Sequence, residues 1–146
     1  MPVKIILTVL LSLLFCSNSI AETMSVAFSG AEVRSAPTAM SSKVVFKANK
    51  FYPLTVIKES GEYYQVSDYR GRKGYIHKSL LKAKPSIVVT GDRANVRSGP
   101  GTDHGVVFQV SKGDSALLLS SQEGWVEIKA TSGQTGWIAD FLVFGE

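Results

Sequence analysis

Two stretches of this 146-residue chain repeat one another, and the repeat limits the fold more than any other feature. Asn95-Val96-Arg97-Ser98-Gly99-Pro100-Gly101 has a diverged copy upstream, Glu32-Val33-Arg34-Ser35-Ala36-Pro37-Thr38. Arg34 and Arg97 lie 63 residues apart, and Gly74-Tyr75-Ile76 recurs 62 residues on as Gly136-Trp137-Ile138. A period of this size marks two copies of one small module. A module of roughly 55–60 residues is near the limit at which a single core is stable. The copies must therefore carry dense cores or lean on each other.

The N-terminal stretch stands apart from the repeat. Lys4 gives one positive charge, and Ile5 to Phe15 is apolar apart from Thr8 and Ser12. Ser19-Ile20-Ala21 then offers small residues at the two positions that a signal peptidase reads. This order predicts a signal peptide over 1–21, cleaved after Ala21. The apolar run is shorter than the ~20 residues a membrane span needs, so no stable span is expected after cleavage. Cys16 is the one cysteine. Phe15 precedes it where a lipidation signal wants a small residue, which argues against a lipoprotein. An exported chain without further cysteine has no disulfide framework and no thiolate metal site. It must be held by core burial alone.

From Glu22 onward, short β-branched and aromatic runs alternate with Gly, Ser, Asn and Pro. Val44-Val45-Phe46, Leu54 to Ile57, Tyr63 to Val66 and Gly74 to Ile76 make the strands of the first module, after a leading strand over Ser25 to Phe28. Ile87 to Val89, Asn95 to Arg97, Val106 to Val110, Ala116 to Leu119, Trp125 to Ile128 and Gly136 to Ile138 repeat the plan, with a 3₁₀ turn over Ala139 to Phe141. Such spacing predicts small antiparallel barrels. No segment sustains a helical period. Barrel 1 is expected over 25–82 and barrel 2 over 87–146. The joint Lys82-Ala83-Lys84-Pro85-Ser86 is short and proline-stiffened, so it should allow few relative angles.

Charge is split between the copies. From Glu22 to Lys84, eleven cations face five acids, a net of +6; from Pro85 to Glu146, four cations face seven acids, a net of −3. Opposite signs favour packing of one module on the other, or leave the first free to meet an anionic surface. The bland reading is a solvated β-surface. The Arg70-Gly71-Arg72-Lys73 cluster reads as a solvated turn tip. No nucleic-acid motif interleaves aromatics with these cations.

The sequence carries no recognisable catalytic constellation. His77 and His104 fall at unmatched positions and have no metal-ligand spacing. Ser98, Asp103 and His104 can be assembled on paper, but no nucleophile-elbow pattern supports them. No phosphate loop is present. The sequence implies no catalytic residues, no metal and no cofactor.

Asn95 to Pro100, a strand ended by Lys112-Gly113-Asp114, Gly124 to Ile128, and Gly136-Trp137-Ile138 together resemble a bacterial SH3 (SH3b) domain over Thr90 to Val143. Gly30 to Leu81 resembles a diverged second copy: Ala36 replaces the turn glycine, Phe51-Tyr52 stands where Gly113-Asp114 stands, and Tyr63 and Tyr75 replace the tryptophans. The resemblance implies an all-β chain of two tandem SH3-like barrels, each with five or six strands. It also implies a periplasmic or extracellular setting. There such modules bind peptidoglycan or other wall components and accompany hydrolases.

In such a barrel a shallow groove would be lined by Arg97, Ser98, Pro100, Trp125 and Trp137, with Arg34, Pro37, Tyr63 and Tyr75 as counterparts. Aromatic faces with a polar edge suit sugars and extended peptides, and an arginine can hold a carboxylate. The same tryptophans serve equally as packing residues, and Arg97 equally as a brace for its loop. Two functions follow: a non-catalytic envelope module that binds peptidoglycan, or one that binds an envelope protein. Trp125 and Glu127 alternate with Val126 and Ile128, so the first pair should share the face opposite the second. Oligomeric state is not legible.

Overall fold

The computed structural model describes residues 21–145. The expected signal peptide, apart from Ala21, lies outside the described residues. Among those residues there is no α-helix, and no helix is long and apolar enough to cross a membrane.

The first half is built from β1 (Thr23–Val26), β2 (Ala31–Arg34), β3 (Val44–Ala48), β4 (Pro53–Ser60), β5 (Tyr63–Ser67), β6 (Lys73–His77), a 3₁₀ turn (Lys78–Leu80) and β7 (Leu81–Lys82). They form one sheet in the order β3-β2-β6-β5-β4-β1-β7. The second half repeats this with β8 (Ser86–Val89), β9 (Arg93–Arg97), β10 (Val106–Ser111), β11 (Ser115–Gln122), β12 (Trp125–Ala130), β13 (Thr135–Ala139), a 3₁₀ turn (Asp140–Leu142) and β14 (Val143–Phe144), in the order β10-β9-β13-β12-β11-β8-β14. Each sheet thus has seven strands, not five or six. The excess comes from the leading strand and the two-residue closing strand, which pair with each other. The leading strand of the first half ends at Val26, short of the expected Phe28. There the Ala27 amide turns to the Leu80 carbonyl and Phe28 lies exposed.

Every strand of the first sheet sends a residue into one cluster, including Val26, Val33, Phe46, Leu54, Val66, Ile76 and Leu81. The second sheet does the same with Ile87, Val89, Val96, Val110, Ala116, Val126, Ile128 and Ile138. A sheet whose strands all face one cluster must be curled around it. The curl has the same causes in both copies. The β4–β5 ladder skips Ile57 and the β11–β12 ladder skips Leu119; the β2–β3 ladder skips Val45 and the β9–β10 ladder skips Val107. These bulges bend the strands and leave all four skipped residues 42–48% exposed.

Closure depends on two buried glycines. A Cβ on Gly136 would lie 2.6 Å from Val96 Cγ1 and 2.9 Å from the Arg97 carbonyl oxygen; on Gly74 it would lie 2.6 Å from Val33 Cγ1 and 2.8 Å from the Arg34 carbonyl oxygen. Only glycine lets β13 approach β9, and β6 approach β2. At another turn the copies solve one problem with different residues: Gly113 has φ 90°, and Phe51 at the matching position holds φ 68°.

The halves are joined through β8, all four of whose residues are buried. Ile87 and Val89 pack into the second core, while Val88 packs into the first. The Ser115 hydroxyl donates to the Lys50 carbonyl at 2.7 Å, and the Tyr69 and Phe144 rings lie 6.2 Å apart. Among the described residues each ion pair lies within one half. The seam is therefore apolar and hydrogen-bonded; the opposite net charges do not build it. The expected joint is shortened, since Ser86 already belongs to β8 and the Pro85 carbonyl accepts from the Leu118 amide at 3.0 Å.

Gly136→Ala should destabilise the second barrel by about 1–3 kcal/mol through overpacking. It would be read as a lower urea midpoint with unchanged slope. Gly105→Ala, at a site with nothing within 4 Å, should leave the midpoint nearly unchanged.

Candidate functional site

The outer face of the second barrel carries a row of paired side chains. Arg97 on β9 pairs with Trp137 on β13, Trp137 with Glu127 on β12, and Glu127 with Ser120 on β11. Trp125 stands two residues before Glu127, on the same face. Neither tryptophan belongs to the core cluster, and both are half-buried. The expected alternation holds, with Val126 and Ile128 at 0% exposure on the opposite face. Glu127 Oε2 accepts from the Ser120 hydroxyl at 2.9 Å, which draws the carboxylate toward β11, on the side away from Trp137.

Arg97 does brace its loop. One guanidinium nitrogen donates to the carbonyl of His104 at 2.9 Å and to that of Thr102 at 3.2 Å. The Ser98 amide donates to the Gly105 carbonyl at 2.9 Å, closing the neck. Ser98 is exposed and Pro100 half-buried on this braced loop. Ser98 and Pro100 thus sit on the loop that Arg97 braces, while Arg97, Trp137 and Trp125 lie along one outer row with an unforeseen member, Glu127. Its signal in the sequence was the alternation with Trp125.

The first barrel repeats the row with different chemistry. Arg34 pairs with Tyr75, Tyr75 with Gln65, and Tyr63 lies two residues before Gln65. Arg34 does not hold its loop. Its guanidinium meets Glu32 at 3.2 Å, and its buried Nε has no partner. The loop is held instead by Ser35, whose hydroxyl accepts from the Lys43 amide at 3.0 Å. Tyr63 packs edge-on against His77, centroids 5.2 Å apart, and Pro37 is exposed.

The Arg70–Lys73 turn corrects the reading of a solvated tip. Arg70 and Lys73 are exposed, but Arg72 is not free. Its Nε and Nη2 both reach Asp68 Oδ2 at 2.7 Å, and its guanidinium lies 4.0 Å over the Phe46 ring. Asp68 is buried, and its Oδ1 accepts from the Arg70 and Arg72 amides at 3.0 and 2.8 Å. Tyr52 donates its hydroxyl to Asp68 Oδ2 at 3.2 Å. A short turn spacing, Asp68 to Arg72, brought a charge inward because a ring and a phenol were waiting there. Nothing local in the sequence announced those two.

The family match agrees with this fold. The profile of the bacterial SH3 domain matches residues 29–82 and 92–143, and the chain belongs to that family. A Bacillus subtilis protein named as the N-acetylmuramoyl-L-alanine amidase YrvJ is 37% identical over 68 residues, 47% of this chain and 13% of that protein. The serine/threonine-protein kinase D of Synechocystis is 46% identical over 55 residues, 34% of this chain and 11% of that protein. The chain thus spans only a small fraction of the length of these relatives. A solved NlpC/P60 family protein from Bacillus cereus aligns over 84% of this chain and 56% of its own, at 16% identity and a TM-score of 0.41. A superposition this loose carries no functional weight.

The Tyr52 hydroxyl is pushed up to about 12, first by burial and then by the Asp68 charge. An unfolded tyrosine ionises near 10. Protonated Tyr52 therefore contributes its full stability below pH ~10 and loses it as pH rises towards ~12. The advantage of the native chain over Tyr52→Phe should shrink by about 2 kcal/mol across that window, measured by urea unfolding at stepped pH.

Proposed function

We propose that this chain is an exported, non-catalytic envelope protein that binds peptidoglycan through the Arg97–Trp137–Trp125 face of its second barrel. Residues 1–21 serve as the signal peptide, 25–82 and 87–146 as the two modules, and the mature chain is periplasmic or extracellular. One observation carries the reading. Two large aromatic residues are held off the core, in register with an arginine and a carboxylate, on a ladder that fixes their spacing.

Indole faces suit the apolar face of a sugar ring, and their polar edges leave room for hydrogen bonds. Glu127, on the same row, supplies an acceptor for hydroxyl or amide groups. Arg97 already spends one guanidinium nitrogen on its loop, so it positions that loop first and meets a ligand with what remains. The family supports a binding role, and the relative named as an N-acetylmuramoyl-L-alanine amidase supports a wall setting. The first barrel contributes less to binding in this reading, since tyrosines replace its tryptophans and Arg34 is tied to Glu32.

The test is co-sedimentation of residues 22–146 with purified sacculi at low and raised salt, beside a folded Trp125→Ala/Trp137→Ala variant. Pelleting should survive salt and drop at least tenfold in the variant, as the loss of two aromatic contacts implies. Pelleting abolished by salt in both chains would reduce the interaction to the charge of the first barrel. No pelleting would overturn the wall reading in favour of a protein partner in the envelope.

A further inference from the structure

The two barrels differ most at one place, where the first is plugged and the second is open. The turn backbones match: Asp68 amide to Arg72 carbonyl at 3.0 Å in one, Ala130 amide to Gln134 carbonyl at 2.9 Å in the other. The aromatic floor also matches, since Phe46 pairs with Val33 as Phe108 pairs with Val96. What changes is the filling. Tyr52 becomes Asp114, Leu54 becomes Ala116, Asp68 becomes Ala130, Tyr69 becomes Thr131 and Arg72 becomes Gln134.

Each replacement is smaller, and together they leave a cavity of about 310 Å³. Val89, Ala116 and Ile128 make its buried floor, with Phe108 as the aromatic wall and Asp114 and Gln134 at the polar rim. The first barrel contributes Ser29 and Asn49 to the lip, and the Ser115–Lys50 hydrogen bond ties that lip in place. The first half thus forms part of the cavity's lip.

We propose that this cavity is a binding site for a guanidinium group carried on an aliphatic stem, the side chain of an arginine-bearing peptide. The first barrel displays the occupant internally: Arg72 stacks on Phe46 and pairs with a carboxylate. The second barrel keeps the ring but lacks the cation, and its carboxylate stands at the Tyr52 position: Asp114 Oδ2 accepts from the Ser111 amide at 2.8 Å, which leaves Oδ1 for a ligand. An external guanidinium restores the set. It gains a ring face and a charge-assisted hydrogen bond, while its stem covers Ala116 and Ala130. This site is separate from the Arg97–Trp137 face.

The test is a titration of residues 22–146 with N-acetyl-arginine-N-methylamide, followed by backbone amide NMR. N-acetyl-citrulline-N-methylamide, the neutral isostere, is the control. Saturable shifts are expected at Phe108, Asp114, Ala130 and Gln134, with the arginine compound at least tenfold tighter, the scale of one charge-assisted bond. Asp114→Asn should erase that preference. Gln134→Arg should fill the site from within and abolish binding, as should Asp114→Tyr/Ala130→Asp/Gln134→Arg, while the Arg97 and Trp137 amides keep their shifts. Trp125→Ala/Trp137→Ala should bind the compound normally, so the wall reading can fail without this one. Equal affinity for both compounds, or no saturable shift at the four residues, would overturn the proposal.

Discussion

Each half of the chain closes around its core at a point where two backbones come nearer than side chains normally permit. Gly136 lies against the Arg97 carbonyl and Gly74 against the Arg34 carbonyl, each under a valine methyl of the facing strand. The rest of the architecture depends on these approaches. They place β13 beside β9 and β6 beside β2, so that the apolar side chains of each sheet converge on one cluster. The same approach sets Trp137 beside Arg97 and Tyr75 beside Arg34, because those residues neighbour the glycines. Core closure and the outer row are thus one constraint seen from two sides.

Small barrels of this size sit near the limit of what a single core can stabilise, and this chain answers by sharing a strand's faces. β8 gives Ile87 and Val89 to one core and Val88 to the other. A strand buried on both faces reads as an unbroken apolar run, which Ile87-Val88-Val89 is. The net charges of opposite sign are solvated or paired within each half, as expected of surface charges, whose individual contributions are small.

The two copies have diverged in opposite directions at equivalent places. The first has tyrosines on its outer row and a cavity filled by a phenol, a carboxylate and a guanidinium that satisfy one another. The second has tryptophans there and an open cavity. A buried ion pair is seldom a large net gain over apolar packing. Here Asp68 accepts two backbone amides besides Arg72 and Tyr52, so its desolvation is offset by bonds that also shape the turn.

The duplication, the strand runs, the turn residues and the alternation that puts Trp125 and Glu127 on one face were all legible in the chain. Each rests on a local rule: a period of two, a Gly-rich turn, a repeated motif at fixed spacing. Those rules predicted the all-β class, two units and most strand limits within a residue or two. They placed the closing segments at Leu80-Leu81 and at Leu142 to Phe144, where the structure has the two-residue strands Leu81–Lys82 and Val143–Phe144. They also read Arg72 as solvated, because its partners Phe46, Tyr52 and Asp68 lie on three different segments. Tertiary structure alone decided three things: that Trp125 and Trp137 stand off the core, that Val88 crosses to the other half, and that Asp114, Ala116, Ala130 and Gln134 surround one cavity. The reason is common to all three. Side-chain periodicity fixes which residues share a face of a strand, but only curling and docking of the sheets decide what that face meets.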